Sequence, residues 1–329
     1  MSARSRLSSL PALPMVARPW VGAVLISFSG VWVRLADVEA ARSAFLRGAY
    51  ALPVLAVLVA LRARSGEGQR HWFRPLAVTA GLLFGVNLLA WHASVGIIGA
   101  GLGTVLPNLQ VVVVGLLGVA LFRERPAVGF WVALPTVLAG IWLLAAVGRP
   151  VVVGGSVPVG VALGVLAGVT YGSWMVLLRF ARVREGDRSA PEMLWSLTLG
   201  ATLVTGTAAA VQGVAGPAGW PADGWLLLLA IGSQVIGWLL LTSSIHLLPA
   251  AATSVALLLQ PVLALVWGAL LLSEPVGPPQ VAGAFVVLFG VGLAHRSLRG
   301  VSAGTGPGAP VADDTGTAGP TSAPHPGHR

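Results

Sequence analysis

The sequence predicts an all-α integral membrane protein with ten transmembrane helices, arranged as two inverted repeats of five helices. Two observations carry this prediction: the composition of the chain, and a stretch of sequence that recurs at a fixed distance. Of the 329 residues, 56% are hydrophobic and only 9% are charged. Soluble globular proteins average about 25% charged residues. The chain therefore has too few charges to cover a soluble surface.

Ten apolar runs are long enough to cross a bilayer, which takes about 20 residues per helix. We predict spans near residues 20–36, 43–61, 75–95, 102–122, 128–147, 157–178, 193–213, 224–245, 251–272 and 279–296. The first run could pass for a signal peptide, but no small-residue cleavage site follows it, so it is predicted to remain as a span. The tail over 300–329 is rich in Gly, Pro, Ala and Thr, and it is predicted to be disordered because it cannot bury enough apolar surface.

The distribution of arginine predicts the orientation, since all 20 Lys and Arg residues are Arg. If both termini are cytoplasmic, the inner segments contain Arg4, Arg6, Arg18, Arg62, Arg64, Arg70, Arg74, Arg123, Arg125, Arg179, Arg182, Arg184, Arg188, Arg296 and Arg299. The outer loops contain only Arg42 and Arg149, and basic residues concentrate in cytoplasmic loops. We therefore expect a multi-pass protein of the inner (plasma) membrane, with both termini cytoplasmic. The net charge of +9 then reflects the membrane, and no nucleic-acid partner is expected.

A stretch near the end of the first half recurs in the second half without a gap. The segments 110–124 and 260–274 share five residues at an offset of 150, which are Gln110 and Gln260, Val112 and Val262, Gly118 and Gly268, Leu121 and Leu271, and Glu124 and Glu274. Because each half has five spans, the second copy enters the membrane from the opposite side. The predicted organisation is an N-terminal cytoplasmic segment (1–19), a first repeat (20–147), a second repeat (157–297) and the tail.

The residues of the second repeat resemble those of the EamA family, which belongs to the drug/metabolite transporter superfamily. The resemblance is carried by Gln260-Pro261 at the start of the ninth span, then by Gly268 and Ser273-Glu274-Pro275. In the first repeat Val111 follows the equivalent Gln110, and a proline stands one turn earlier, at Pro107. The resemblance extends over about 20–297. It implies a secondary carrier of small metabolites, with a cavity near the middle of the membrane.

Polar and aromatic side chains within the spans are the candidate substrate-binding residues. Polar groups are costly in lipid and tend to face the bundle interior or a cavity. The candidates are Asn87, Trp91, Asn108, Gln110, Tyr171, Trp174, Gln234 and Gln260. Two alternatives stay open: the polar residues contact cargo or hydrogen-bond one helix to another, and the aromatic residues line a cavity or pack against neighbouring helices.

For each of four ionisable residues the sequence leaves two alternative roles open. Glu124 and Glu274 are each predicted to stabilise the N-terminus of the following helix, where the helix dipole is positive. A role as proton carriers is the alternative. Arg47 either extends to the outer membrane interface or forms a positive lip at the outer mouth. His92 is either a satisfied interior residue or part of a proton relay.

The leading functional prediction is a secondary transporter of small metabolites such as amino acids, with export as the predicted direction and alternating access as the mechanism. An integral-membrane enzyme acting on lipid or isoprenoid substrates is the alternative, and a membrane sensor or assembly factor is a third. All eleven acids fall in loops, at span ends or in the tail, and the chain has no cysteine. We therefore expect no catalytic residue, no metal site and no cofactor. The expected partners are the cargo and the lipid bilayer, and a homodimer stays open.

The absence of an acid from the apolar centres of the spans also predicts the charge of the cargo. A carrier that exchanges a lipophilic cation for protons commonly has an intramembrane carboxylate. Without one, a cation would meet only dipoles and aromatic faces. Neutral, zwitterionic or anionic metabolites, above all amino acids, are the expected cargo.

Overall fold

The computed structural model describes residues 17–64, 73–122, 127–146, 156–185, 190–244, 250–274 and 277–302. Within these ranges every regular element is a helix and no strand occurs. The prediction of an all-α protein is confirmed for this part of the chain. Glu124 and the predicted disordered tail beyond Ser302 lie outside the described residues.

Thirteen α-helices follow one another in the described residues. Their bounds are α1 Arg18–Ser27, α2 Ser29–Ala36, α3 Ala40–Arg64, α4 Pro75–Ile98, α5 Ala100–Val105, α6 Gln110–Phe122, α7 Val128–Ala146, α8 Val157–Glu185, α9 Ala190–Val211, α10 Ala222–Leu228, α11 Trp238–Ser244, α12 Ala250–Leu271 and α13 Pro278–Ser302. A 3₁₀-helix over Leu106–Leu109 joins α5 to α6, and a π-helix over Leu229–Gly237 joins α10 to α11.

Seven helical segments of the described chain are long and apolar enough to cross a membrane. They are Arg18–Ala36, Ala40–Arg64, Pro75–Ile98, Ala100–Leu121, Val157–Leu178, Ala190–Val211 and Ala222–Leu241. Shorter apolar stretches cover Val128–Leu143, Leu259–Leu271 and Val281–Ala294. These shorter stretches fall within the fifth, ninth and tenth predicted spans. The chain is therefore a multi-pass helical membrane protein, and the count of ten spans stays a prediction.

Regular α-helix is broken at Gly99, in the 3₁₀-helix and in the π-helix, and the first two breaks have a visible cause in the sequence. Gly99 has φ +88° between α4 and α5, a conformation that glycine adopts without a Cβ clash. Pro107 lies in the 3₁₀-helix, where its missing N–H removes one backbone hydrogen bond. The π-helix over Leu229–Gly237 contains Gln234, and such segments often occur at functional sites.

A stripe of glycines on α8 lets this helix approach the first half of the chain closely. Gly160, Gly164, Gly168 and Gly172 recur every four residues and so share one helical face. A Cβ on any of them would come within 3 Å of a side chain from α4, α6 or the 3₁₀-helix between α5 and α6. Small residues permit this kind of close helix contact in membranes. The same packing brings Tyr171, the neighbour of Gly172, to the centre of the bundle.

Candidate functional site

A cavity lies among the helices where both halves of the chain meet. Its polar lining residues are Ser29, Arg47, Asn87, Thr104, Asn108, Gln110 and Gln260, and its aromatic lining residues are Phe84, Trp91, Tyr171 and Trp238. Ile26, Leu88, Pro107 and Pro261 complete the wall. The centre of a water molecule can reach about 90 Å³ of this space. One water needs about 10–15 Å³ on this measure, so the cavity has room for a small molecule.

Six of the eight predicted binding residues line this cavity. They are Asn87, Trp91, Asn108, Gln110, Tyr171 and Gln260. The other two lie behind the wall. Trp174 is buried against Tyr171, and Gln234 is buried next to Arg47. The structure thus brings the predicted set together around one space, in two layers.

The asparagine side chains in the wall donate hydrogen bonds to backbone carbonyls. Asn87 Nδ2 donates to Ala167 O at 2.6 Å, which links α4 to α8. Asn108 Nδ2 donates to Thr104 O and Val105 O, at 3.0 and 3.2 Å, within its own segment. Cargo contact and helix-to-helix hydrogen bonding were the two alternatives for Asn87. Its side chain forms the hydrogen bond between helices, and it also borders the cavity.

The two glutamines related by the sequence repeat both border the cavity. Gln110 is buried, and its Oε1 has no hydrogen-bond partner among the described residues. Its side chain contacts the Tyr171 hydroxyl. Gln260 is half-buried, at the point where Pro261 follows it in α12. An unsatisfied buried acceptor costs free energy, which makes Gln110 Oε1 a candidate acceptor for a bound molecule.

Arg47 lies in the cavity wall, and both sequence-based readings of it were wrong about its position. Its side chain is only 4% exposed, so it does not extend to the membrane interface or form an outer lip. Its Nε donates to Gln234 Oε1 at 2.8 Å, and Gln234 Nε2 in turn donates to Thr198 Oγ1 at 3.2 Å. The guanidinium carbon also lies 5.8 Å from the centroid of the Trp91 ring.

The carboxylates with described contacts are engaged away from Arg47. Glu192 pairs with Arg74 at 3.4 Å, and Glu39 pairs with Arg42 at 3.4 Å. Asp223 accepts hydrogen bonds from the Tyr50 hydroxyl and from the backbone N–H groups of residues 218 and 219. Among the described residues, no carboxylate forms an ion pair with Arg47. The cavity therefore has a cation in its wall without a described counter-charge.

One signal in the sequence could have identified Arg47 as an interior residue. Positions 44 and 51 of α3 both carry Ala, three residues before and four residues after Arg47, and so share a helical face with it. Small residues on a membrane helix mark the side that meets other helices rather than lipid. Side-chain size on neighbouring turns is therefore more informative here than distance from the end of the span.

An aromatic cluster, formed by Phe84, Tyr171, Trp174 and Trp238, contributes three of its four rings to the wall of the cavity. Tyr171 and Trp174 stack with ring centroids 5.1 Å apart and an interplanar angle of 10°. Trp174 lies 5.0 Å from Phe84 and 6.0 Å from Trp238, again between centroids. These separations are typical of favourable aromatic pairs.

An ionic cluster, formed by Arg34, Glu274 and the first residues of α5, lies outside the lining of the cavity. Glu274 Oε1 accepts a hydrogen bond from Ala100 N at 2.7 Å, and Oε2 accepts one from Gly101 N at 3.3 Å. Arg34 Nε lies 3.8 Å from Glu274 Oε1. A carboxylate at a helix N-terminus is stabilised by free N–H groups and by the helix dipole.

This geometry corrects the expectation that Glu274 serves the helix that follows it. Glu274 stabilises the N-terminus of α5, which belongs to the other half of the chain, more than 170 residues away. Gly268 leaves the necessary space, because a Cβ there would lie 2.6 Å from Glu274 Oε2. The recurring Gly and Glu, six residues apart, thus have a packing reason in this repeat.

His92 lies beside the cavity wall and hydrogen-bonds to a neighbouring helix. Its Nδ1 is 2.8 Å from Ser43 Oγ, which links α4 to α3. Its Nε2 is buried and has no hydrogen-bond partner among the described residues. The ring of His92 meets the ring of Trp91 edge-on at 4.9 Å. No group of three His, Cys, Asp or Glu residues that could hold a metal ion occurs in the described ranges.

The fold and the cavity define a class, the multi-pass helical membrane proteins with a polar cavity inside the bundle. Residues 158–295 match the model of the EamA-like transporter family, which is part of the drug/metabolite transporter superfamily. The resemblance seen in the sequence is confirmed over these residues.

Two further comparisons describe how far the likeness reaches. No curated protein matches the chain. A solved structure described as "Crystal structure of protein" superposes on the chain with a TM-score of 0.57 at 16% sequence identity, covering 87% of this chain and 97% of that chain. At this identity the likeness shows a shared fold, and it extends well beyond the residues that match the family model.

Proposed function

We propose that the protein is a secondary transporter of small metabolites such as amino acids, working by alternating access and in the direction of export. The observation that carries the proposal is the cavity, which is polar, lies among the helices and takes lining residues from both halves of the chain. Members of the EamA family are transporters rather than enzymes, which favours transport over catalysis here. The partners in this proposal are a small-molecule cargo and the lipid bilayer, without nucleic acid.

The proposed architecture is ten spans in two inverted repeats, and a reciprocal helix contact supports it. A Cβ on Gly140 of α7 would lie 2.7 Å from Val287 Cγ2, and one on Gly290 of α13 would lie 2.7 Å from Val137 Cγ2. The two pairs interchange under the sequence offset of 150. Reciprocal contacts of this kind are expected around a two-fold axis, and an axis in the membrane plane relates inverted repeats.

The pattern of helix neighbours gives the same support over a larger part of the bundle. Under the repeat, α8 corresponds to the α1–α2 segment, and α4 corresponds to the α10–α11 segment. The contact of α8 with α4 is matched by contacts of α1 with α11 and with the π-helix. The contact of α9 with α4 is matched by that of α3 with the π-helix. Two such halves moving about a central site are the usual basis of alternating access.

The topology can be tested with single cysteines, since the natural chain has none. Gly216 lies in the segment after α9 with no atom within 4 Å of a Cβ there, and Ser302 ends α13. In intact cells we expect a membrane-impermeant maleimide to label Gly216→Cys without permeabilisation and Ser302→Cys only after it. The reverse pattern, or labelling of both from outside, would contradict the proposed orientation.

Transport itself can be tested by counterflow with purified protein in liposomes. Liposomes preloaded with a pool of unlabelled amino acids should accumulate the corresponding labelled pool transiently, because alternating access exchanges cargo across the membrane. Matched liposomes without the internal pool should show only slow equilibration. Pools of nucleotide sugars and of lipophilic cationic drugs provide other cargo classes, and a protein inactive towards every pool would refute the proposal.

A further inference from the structure

Arg47 places an unpaired positive charge in the wall of the cavity. Its guanidinium is buried, and no carboxylate among the described residues pairs with it. We propose that Arg47 binds a carboxylate of the cargo, and that the site is built for small monocarboxylates with a neighbouring hydrogen-bond donor, such as α-amino acids. This inference rests on the proposed transport function and specifies the cargo chemistry of the same cavity.

The contacts of Arg47 fix its orientation and leave part of the guanidinium free. Nε is bonded to Gln234, which is itself held by Thr198. The described side-chain hydrogen bond of Arg47 uses Nε, and the residue borders the cavity, so the Nη groups are the ones available to a bound molecule. Two parallel Nη–H donors match the geometry of a carboxylate and can bind it in bidentate fashion. Gln234 is thus a positioning residue, buried behind the wall with 1% exposure.

The energetics of burial favour an anionic ligand at this position. A charge removed from water is costly unless it is paired and hydrogen-bonded. Among the described residues Arg47 is compensated by one amide oxygen and by the face of Trp91. A bound carboxylate supplies the missing counter-charge, and the pair then lies in a medium of lower effective dielectric constant than water.

The same wall offers an acceptor for a donor group on the cargo. Gln110 Oε1 lacks a hydrogen-bond partner among the described residues. The Tyr171 hydroxyl contacts the Gln110 side chain, and Arg47, Gln110 and Tyr171 all line the same cavity. An ammonium or hydroxyl group next to the carboxylate can therefore donate to Gln110 while the carboxylate is bound by Arg47.

Size and charge favour a carboxylate over a phosphate. The reachable volume of about 90 Å³ corresponds to about six to nine waters at 10–15 Å³ each, which suits a molecule with a similar number of heavy atoms. A phosphate group carries about −1.5 to −2 charges at neutral pH. Arg47 is the one cationic side chain among the described lining residues, so a monoanion matches the site better.

The test compares amino acids with their α-amides, which keep the side chain and the amino group but lack the carboxylate. Counterflow in liposomes is measured for the pooled amino acids and for the pooled amides, in wild type, Arg47→Gln, Arg47→Lys and Arg42→Gln. Arg42 is the matched control, since it lies on the same helix but contacts Glu39 and the carbonyl of Val214 instead of the cavity. Ligand-dependent thermal stabilisation in detergent is recorded for the same pools, so that binding is measured separately from transport.

We expect wild type and Arg42→Gln to take up the acids and to discriminate against the amides. Arg47→Gln should reduce acid uptake about tenfold to hundredfold, the effect of losing a charge-assisted contact, and should abolish the preference over amides. Arg47→Lys should retain part of the preference, because it keeps the charge and loses the bidentate fork. The corresponding loss of thermal stabilisation by the acid pool identifies binding as the affected step, including for a variant that folds but does not transport.

The outcomes separate this inference from the transport proposal. Equal uptake of acids and amides by wild type, or a preference unchanged in Arg47→Gln, would overturn the carboxylate assignment and leave transport intact. Uptake restricted to cationic drugs would do the same. Arg47-dependent stabilisation by amino acids without transport of any pool would support the binding site and refute the transporter.

Discussion

The aromatic cluster and the ionic cluster are held together by different kinds of interaction. The aromatic cluster packs four rings in stacked and tilted pairs, with Trp174 fully buried among them. The ionic cluster joins Arg34 and Glu274 to the first N–H groups of α5. Aromatic packing depends on buried area and tolerates small sliding movements, whereas hydrogen bonds weaken steeply when distance or angle changes. A rearrangement of the aromatic cluster can be gradual, whereas one of the ionic cluster must break discrete bonds.

The largest expected effect is on the aromatic cluster. Trp174→Ala should lower the free energy of unfolding by about 3–5 kcal/mol, because it removes a large buried side chain and leaves a cavity. The measurement is equilibrium unfolding in mixed micelles. The matched control is Trp142→Ala on α7, where the Trp is 64% exposed and the change should stay within about 0.5 kcal/mol. Equal losses in the two variants would show that Trp174 is not a packing centre.

The next largest effect is expected at the ionic cluster. Glu274→Ala removes the acceptor of two backbone N–H groups, and hydrogen bonds to a charged group each contribute about 1.5–3 kcal/mol. We expect a loss of about 2 kcal/mol in the same unfolding measurement. Glu39→Ala is the control, since Glu39 is a half-exposed acid in a surface pair, and its loss should not exceed about 0.5 kcal/mol. A loss at Glu274 no greater than at Glu39 would contradict the capping role.

The sequence predicted the aromatic cluster better than the ionic cluster, and the reason is physical. Tyr171, Trp174 and Trp238 can be identified from the sequence, because aromatic residues inside apolar spans are expected to line a cavity or to pack against neighbouring helices. The partner of Glu274 depends instead on how α12 lies against α5, which is a property of tertiary structure. An argument from the nearest helix in sequence therefore identified the right interaction, a carboxylate at a helix N-terminus, on the wrong helix.

The candidate site shows the same division. In-span polar groups such as Asn87 and Gln110 could be identified from the cost of polar atoms in lipid, and both border the cavity. Arg47 was misplaced because its distance from the end of the span was used, rather than the small residues on its face. The sequence did not predict which polar side chains border the cavity and which lie behind its wall. Gln234 lies behind the wall, in the π-helix over Leu229–Gly237. No sequence pattern predicted that element.

The smallest expected effect sharpens the contrast between the two clusters by its dependence on salt. Arg34→Gln should cost about 0–1 kcal/mol, since the Arg34–Glu274 separation is 3.8 Å and the Arg34 side chain is 21% exposed. Raising the ionic strength from about 0.1 M to about 1 M shortens the Debye length from about 10 Å to about 3 Å, so most of this cost should disappear. The cost of Trp174→Ala should change little, because packing of neutral rings is not screened.

In a Glu274→Ala background Arg34→Gln should have no further effect, which a double-mutant cycle measures directly. A cost for Arg34→Gln that is the same at both ionic strengths and in both backgrounds would mean that Arg34 stabilises the ionic cluster through packing, and that the two clusters differ less than their contacts indicate.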